Sequence, residues 1–322
     1  QIEEKNYSVL KNVKYIVPQG SPMAGIGNNF QVASLSNCFV IGNSDADSYG
    51  GIMKVDEEQV QLMKRRGGVG HDLSHIRPKG SPVKNSALTS TGVVPFMERY
   101  SNSTREVAQD GRRGALMLSI SVTHPDVLNC CLRIGSIKTP FTQKHPVKSD
   151  KPTYTKTSDA SKLWDKIVHN AWKSAEPGIL FWDTIQRESI PDCYADLGFE
   201  TVSTNPCGEI PLCPYDSCRL LAINLYGYVE NPFTEEASFN LKLFKEHIWV
   251  AQRMMDDIID LELEKVDRII EKIENDPESS EIKDTELNLW RKIKDKAIQG
   301  RRTGIGINAE GDMLAGLGMQ YG

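Results

Sequence analysis

Short β-prone runs alternate with amphipathic stretches along this chain, and no other feature restricts its fold as much. Ala115 to Val122 reads as a buried strand ended by His124-Pro125; Ile179 to Trp182 and Leu220 to Leu225 read as two more. Helices are expected from Asp56 to Arg66 and from Val94 to Ala108. Asp159 is placed to cap a third helix, in which Leu163, Ile167, Val168, Ala171 and Trp172 recur at helical spacing before Pro177-Gly178. A long helix is predicted from Leu241 to Glu274, with Phe244, Ile248, Ala251, Met255, Ile258 and Ile269 forming most of its buried stripe. Strands alternating with helices predict an α/β protein. Residues 15–45 suit strands joined by turns, 72–90 suit a loop, and 135–158, polar and proline-rich, predict an irregular loop. There is no internal repeat.

Composition narrows the function classes. The chain has 322 residues and a net charge of −5, with no basic stripe, which argues against a nucleic-acid polymer as partner. Single nucleotides remain open, because a few local donors can hold a phosphate. No apolar run has membrane-spanning length and no signal peptide is present, so no membrane partner is expected. Seven cysteines, an odd count in a chain too large to need stapling, favour a reducing cytoplasm. The start at Gln1 and the stop at Tyr321-Gly322 read as cuts through a longer protein.

The chemistry-bearing candidate is Asn205-Pro206-Cys207-Gly208-Glu209, with an amide, a thiol and a carboxylate on alternate residues. In an extended segment, residues two apart face the same side, so all three could address one substrate. Taken alone the pattern is weak, since five-residue matches arise by chance and a lone cysteine is usually a small buried hydrophobe. Cys218, 11 residues further on, and the distant Cys38 add a possible dithiol, which a redox reaction would need beside a separate reacting sulfur. Zinc at Cys207, Cys213 and Cys218 is disfavoured, because no Cys-x-x-Cys pair and no neighbouring histidine accompany them. His71, His75 and His124 fit no metal spacing, and Asp256-Asp257 read as solvated charges.

Ser203-Thr204-Asn205-Pro206-Cys207-Gly208-Glu209-Ile210-Pro211-Leu212 resembles the finger loop of ribonucleotide reductases, above all the adenosylcobalamin-dependent class. The short gap from Cys207 to Cys218 is similar to that class. Further resemblances are Asn37-Cys38, Arg65-Arg66-Gly67-Gly68-Val69-Gly70, Gly111-Arg112-Arg113-Gly114-Ala115, Ser174-Ala175-Glu176-Pro177-Gly178 and Arg302-Thr303-Gly304-Ile305-Gly306, in family order over nearly the whole chain.

The resemblance implies a ten-stranded α/β barrel of the reductase and glycyl-radical type, about half of it present, with residues 1–322 as a partial catalytic barrel domain. It implies that Cys207 becomes a thiyl radical and takes the 3′ hydrogen of a ribonucleotide, and that Glu209 serves as general base on the 3′ hydroxyl. Asn205 would hold the sugar. Cys38 and Cys218 would supply two electrons and close to a disulfide, reopened by a thioredoxin-like dithiol. Ser21, Asn37, Cys38 and Gly68, with Asn205, Pro206, Cys207, Gly208 and Glu209, match substrate-holding positions. Asp47, Ser48, Arg77 and Lys84 match positions for a deoxynucleotide effector, against the alternative of ordinary surface charges. Adenosylcobalamin is the implied cofactor and a homodimer the implied assembly.

Between Val127 and Lys156 the resemblance fails: a specificity-loop region is shortened or altered across 128–156, and Cys130-Cys131 has no counterpart. Cys193 and Cys213 read as structural. The second half of the barrel is expected to be missing, leaving the finger loop partly exposed and the isolated chain with little or no reductase activity. Two alternatives stay open: an iron-dependent catalytic subunit needing a radical-generating partner, and a non-catalytic nucleotide-binding remnant or split-subunit half.

Overall fold

The computed structural model describes residues 2–42, 47–107, 109, 114–130, 136–139 and 159–321. Strands run β1 (Ile16–Pro18), β2 (Cys38–Val40), β3 (Gly68–Asp72), β4 (Leu116–Ser121), β5 (Ser136–Thr139) and β6 (Gly178–Phe181). They continue as β7 (Ser203–Thr204), β8 (Pro211–Leu212), β9 (Ser217–Cys218), β10 (Leu220–Asn224), β11 (Val229–Glu230), β12 (Ser238–Phe239) and β13 (Gly304–Asn308). The helices are α1 (Ile2–Leu10), α2 (Gly20–Gly25), α3 (Tyr49–Met63), α4 (Val94–Glu106) and α5 (Val127–Cys130). After them come α6 (Ala160–Ser174), α7 (Trp182–Glu188), α8 (Leu241–Glu274), α9 (Ser280–Gly300) and α10 (Glu310–Gly316). Among the described residues no helix is long and apolar enough to cross a membrane.

Two compact units result: residues 38–217 with 273–293, and residues 1–37 with 218–272 and 294–322. The first is built on a sheet of order β6-β5-β4-β3-β2-β9, in which β2 to β6 pair in parallel. Parallel strands need crossover segments that cover both faces, so their residues are buried in runs. Phe39, Val40, Val69 and Ile120 are accordingly fully buried. Helix α3 begins seven residues before the expected Asp56, because the Ser48 hydroxyl accepts from Gly51 N at 3.1 Å and caps it. Its Ile52, Val55, Leu62 and Met63 turn inward, and Gln59 donates to Tyr100 O (2.8 Å) and Thr104 Oγ1 (3.1 Å) on α4.

Helix α9 has no counterpart among the sequence expectations. Its first half belongs to this unit, where Glu286 receives Lys64 Nζ at 2.6 Å and Arg65 Nη2 at 3.2 Å. Trp290 is fully buried edge-on against Phe39, ring centroids 6.0 Å apart. Asp159 caps α6 as expected, accepting from Ser161 N and Lys162 N. The predicted stripe is only half buried, however: Leu163 and Ile167 face inward while Val168 and Trp172 are exposed. The expectation of an irregular stretch across 128–156 is corrected at both of its described parts. Residues 127–130 form α5, and 136–139 form β5, a central strand hydrogen-bonded on both sides. Parallel neighbours override the weak local signal there. Residues 131–135 and 140–158, Cys131 with them, and Gly111 to Arg113 lie outside the described residues.

The second unit centres on the sheet β1-β10-β13, with β1 antiparallel and β13 parallel to β10. Helix α8 spans Leu241–Glu274 as predicted, but Ile248 of its expected buried stripe is exposed. Its Val250, Ala251, Met255 and Ile258 pack with Val9, Ile16, Leu221, Ile223 and Tyr228 into one core. Asp256 pairs with Arg301 at 2.7 Å and Asp257 with Arg253 at 2.9 Å, in keeping with surface charges. Residues 15–45 were expected as strands and turns, but Gly20–Gly25 is helical.

Candidate active site

The segment bearing Cys207 is a tight hairpin. Strands β7 and β8 pair antiparallel, Ser203 with Leu212 and Thr204 with Pro211. Asn205 closes the tip through its backbone and its side-chain oxygen. Its N–H donates to Ile210 O (3.1 Å), its carbonyl accepts from Gly208 N (2.9 Å), and its side-chain Oδ1 accepts from Ile210 N (2.9 Å). Gly208 sits at φ +84°, a left-handed conformation that glycine adopts at no steric cost. Pro206, which lacks a donor, and Gly208 therefore break the period-two alternation of an extended strand.

This corrects the expectation that Asn205, Cys207 and Glu209 share one face. Asn205 is fully buried, whereas Cys207 and Glu209 are exposed at the tip. The Asn205 amide Nδ2 is buried without a hydrogen-bond partner, a donor held in reserve.

The base of the hairpin is pressed onto the sheet. A Cβ added to Gly70 on β3 would lie 1.9 Å from the Thr204 carbonyl oxygen, so only glycine admits β7 this close. Ser203 Oγ meets Ser119 Oγ at 3.0 Å on β4; Ser119 Oγ in turn donates to Asp72 Oδ1 at 3.0 Å, as does Ser74 Oγ. Ser119→Ala would strip two hydrogen bonds from fully buried Ser119 and leave Ser203 and Asp72 each with one partner fewer. We expect a loss of about 1–3 kcal/mol, read from the midpoint of urea unfolding. An unchanged midpoint would show that Ser119 does not anchor the hairpin.

The return arm is held at Tyr215. Its N–H donates to Val40 O (2.8 Å), its ring packs against Gly42, and Lys292 Nζ lies 3.2 Å from its hydroxyl and 4.5 Å from its ring centroid. Glu58 on α3 hydrogen-bonds the same Tyr215. Burial pushes the Glu58 carboxyl up to about 7, against Lys292, Lys54 and the Tyr215 hydrogen bond, which act in the opposite direction. Because the folded value lies above the unfolded one, the contribution to stability is present below about 4.5 and lost as pH rises through about 7. Glu58→Gln should flatten the decline of stability in that window, whose slope is at most about 1.4 kcal/mol per pH unit. Parallel slopes for the two proteins would rule out Glu58 as its source.

On the same sheet Cys38 pairs in register with Gly68, both buried, and Gly70 lies two residues further along β3. In the other unit, Ser21 N donates to Asn37 Oδ1 at 3.0 Å, and Asn37 Nδ2 donates to Gln19 Oε1. The Ser21 hydroxyl is buried and unpartnered, and Cys218 is buried. Of the effector candidates, Arg77 and Asp47 come together: Arg77 Nη2 meets Asp47 Oδ2 at 2.9 Å and Nε meets both carboxylate oxygens. Ser48 uses its hydroxyl to cap α3, and Lys84 is exposed on the loop bridged by Pro82 and Thr89.

His71 and His124 are built into the core. His71 is buried edge-on to Tyr100 with Nε2 at 3.1 Å from Gln59 Oε1, and burial holds it near 3, hence neutral. His124 Nε2 lies 2.8 Å from Ile76 O while Nδ1 accepts from Asp126 N. Among the described residues no group of three metal-ligating side chains assembles. Sequence reasoning placed Gly70 and Ser203 in motifs but missed what they do, and it missed Ser119, Asp72, Glu58 and Tyr215. The glycines at alternate positions 68 and 70 were the available signal of a close backbone approach.

Comparison with known proteins gives the family of the chain. The family model described as ribonucleotide reductase, barrel domain, matches residues 36–133 and 135–322. A vitamin B12-dependent ribonucleoside-diphosphate reductase of Thermoplasma acidophilum is 32% identical over 284 residues, covering 80% of this chain and 35% of that protein. The protein of the same name in Mycobacterium tuberculosis is 27% identical, covering 99% and 44%. The class Id ribonucleotide reductase alpha subunit of Actinobacillus ureae shares the fold, with a TM-score of 0.69 at 19% identity over 97% of this chain and 53% of that one. The chain thus spans between about a third and a half of the length of these relatives. With the barrel-domain match running across the hairpin, the glycine-rich turn and β13, this chain belongs to the ribonucleotide reductase family.

Proposed function

We propose that this chain supplies the radical-bearing part of a catalytic subunit that reduces ribonucleotides to deoxyribonucleotides. The observation that carries the reading is the contrast within five residues: a thiol exposed at a hairpin tip whose base is fully buried and tied to the sheet. A radical sulfur needs that combination of fixed position and access to substrate.

Cys207 would give up its hydrogen atom and then take the 3′ hydrogen from the ribose. Glu209, exposed beside it, would accept the 3′ hydroxyl proton as the 2′ hydroxyl leaves as water. Cys38 and Cys218 would lose two electrons and two protons to the sugar and form a disulfide; Cys207 would return the 3′ hydrogen. Asn205, Ser21, Asn37, Gly68, Pro206 and Gly208 would complete the substrate positions that the family resemblance implies. A thioredoxin-like dithiol would reopen the disulfide. A deoxynucleotide effector at Asp47, Ser48, Arg77 and Lys84 would compete with Asp47 for the Arg77 guanidinium. A homodimer is the proposed assembly.

The residues at the tip fit a large cofactor. A side-chain carbon on Gly208 would approach only Met117 Cε, at 3.9 Å, so the tip leaves open space beside Gly208 for an incoming group. Adenosylcobalamin, when bound, supplies the homolytic one-electron chemistry that a thiol cannot perform alone.

The test is deoxynucleotide formation from ribonucleoside di- and triphosphates by the subunit carrying this chain, with adenosylcobalamin and a dithiol. Product that depends on both additions supports the reading. Product formed without the cofactor, but only with a separate iron protein, would replace it by the iron-dependent alternative. The 322-residue chain alone is expected to form little or none, since its tip is exposed.

A further inference from the structure

Deep in the second unit, α8 carries a carboxylate to which the proposed reaction gives no part. Glu262 is fully buried, yet it is surrounded by donors from a segment more than 220 residues earlier. Ser34 Oγ donates to Oε1 at 2.5 Å, Leu35 N to Oε2 at 2.5 Å, and Ser36 Oγ to Oε1 at 3.1 Å. Ser36 N also donates to Ser34 Oγ at 2.9 Å, so the three residues are wound around one side chain. Burial raises the Glu262 carboxyl above the usual carboxylate range, against the buried Arg219 guanidinium and the Ser34, Leu35 and Ser36 hydrogen bonds, which act in the opposite direction; Arg219 Nη1 is fixed by Arg302 O at 2.9 Å.

The two segments that meet at Glu262 have a feature in common. Ser36 is followed by Asn37 and then Cys38; Arg219 directly follows Cys218. A fully buried carboxyl is costly unless it is hydrogen-bonded, and packing alone would be served by an apolar side chain here. The geometry points to Glu262 as a positioning residue for the redox dithiol, fixing the backbone that leads into Cys38 and the backbone that leaves Cys218. This inference rests on the reading of Cys38 and Cys218 as the redox pair. Glu262 would touch neither substrate nor sulfur; it would act by holding Asn37 and Arg219 in place.

The experiment compares the full 322-residue chain with Glu262→Gln and with the milder Ser34→Ala, which removes one donor and leaves the carboxylate. Closure of the Cys38–Cys218 disulfide is timed in glutathione redox buffers by mass spectrometry. Alkylation of Cys38 by N-ethylmaleimide is measured in parallel, with exposed Cys207 as reference and buried Cys130 and Cys213 as controls. Glu262→Gln is expected to slow closure on the order of tenfold and to raise Cys38 alkylation relative to Cys207, with Cys130 and Cys213 still protected; each 1.4 kcal/mol of lost positioning corresponds to about tenfold. Ser34→Ala should shift both readouts the same way by a smaller factor, and it decides the matter if Glu262→Gln does not fold. Unchanged closure in a folded variant would overturn the inference, as would equal loss of protection at Cys130 and Cys213. A wild-type chain that never forms the Cys38–Cys218 disulfide would instead overturn the redox-pair reading, and the role of Glu262 with it.

Discussion

Replacing Cys207 with serine is expected to lower ribonucleotide reduction by the complete subunit at least about 10³-fold while leaving the fold intact. A hydroxyl holds its hydrogen too tightly to serve in place of a thiol, so the chemistry should stop at its first step. The side chain is exposed at the hairpin tip, and the bonds that close the tip belong to Asn205. Substitutions of exposed side chains usually change stability by less than about 0.5 kcal/mol. Activity and urea unfolding measured on the same preparation separate the two effects. Residual activity near the wild-type level would move the reacting sulfur elsewhere, and a large drop in stability would mean that the loss is structural.

The second large effect is expected at Gly70. Gly70→Ala puts a methyl group where the Thr204 carbonyl oxygen already sits, and the atom met is backbone, which cannot rotate away. Either β3 or the hairpin must move, at a cost of about 3 kcal/mol. Since β3 lies inside the sheet between β2 and β4, the hairpin is the part expected to give way. The variant should therefore lose stability and also activity, because Cys207 is displaced with its base; a misplacement of about 1 Å can cost 10²-fold. Gly306→Ala is the control. It too is a glycine in a parallel strand, but an added Cβ there meets nothing within 4 Å. If both substitutions cost the same, the loss at Gly70 reflects glycine in a strand and not the crossing of the hairpin.

Much of the architecture was legible because it is local. Helix α8 announces itself through a regular apolar stripe over many turns, and the Asp159 cap through the residues it serves two and three positions on. The hairpin was legible through its sequence pattern, yet its conformation was not. Extended alternation fails once Pro206 and Gly208 turn the chain and Asn205 bonds inward. Strand β5 was hidden because its identity comes from β4 and β6 on either side, not from its own four residues. Helix α9 buries Leu289, Trp290 and Ile293 among many charged residues, which dilutes the apolar period. The Glu262 cluster could not be read at all. Its partners lie 226 to 228 residues apart, and no local pattern in a helix marks one glutamate as buried.

In the proposed reaction the Cys207 sulfur takes the 3′ hydrogen of a ribonucleotide. Turnover of a 3′-deuterated ribonucleotide against the unlabelled one, in the complete subunit with adenosylcobalamin and a dithiol, tests it most directly. Slower reduction of the deuterated substrate is expected, with deuterium retained at C3′ of the product and no product from Cys207→Ser. Equal rates for the two substrates, with Cys207→Ser still forming deoxynucleotide, would contradict it.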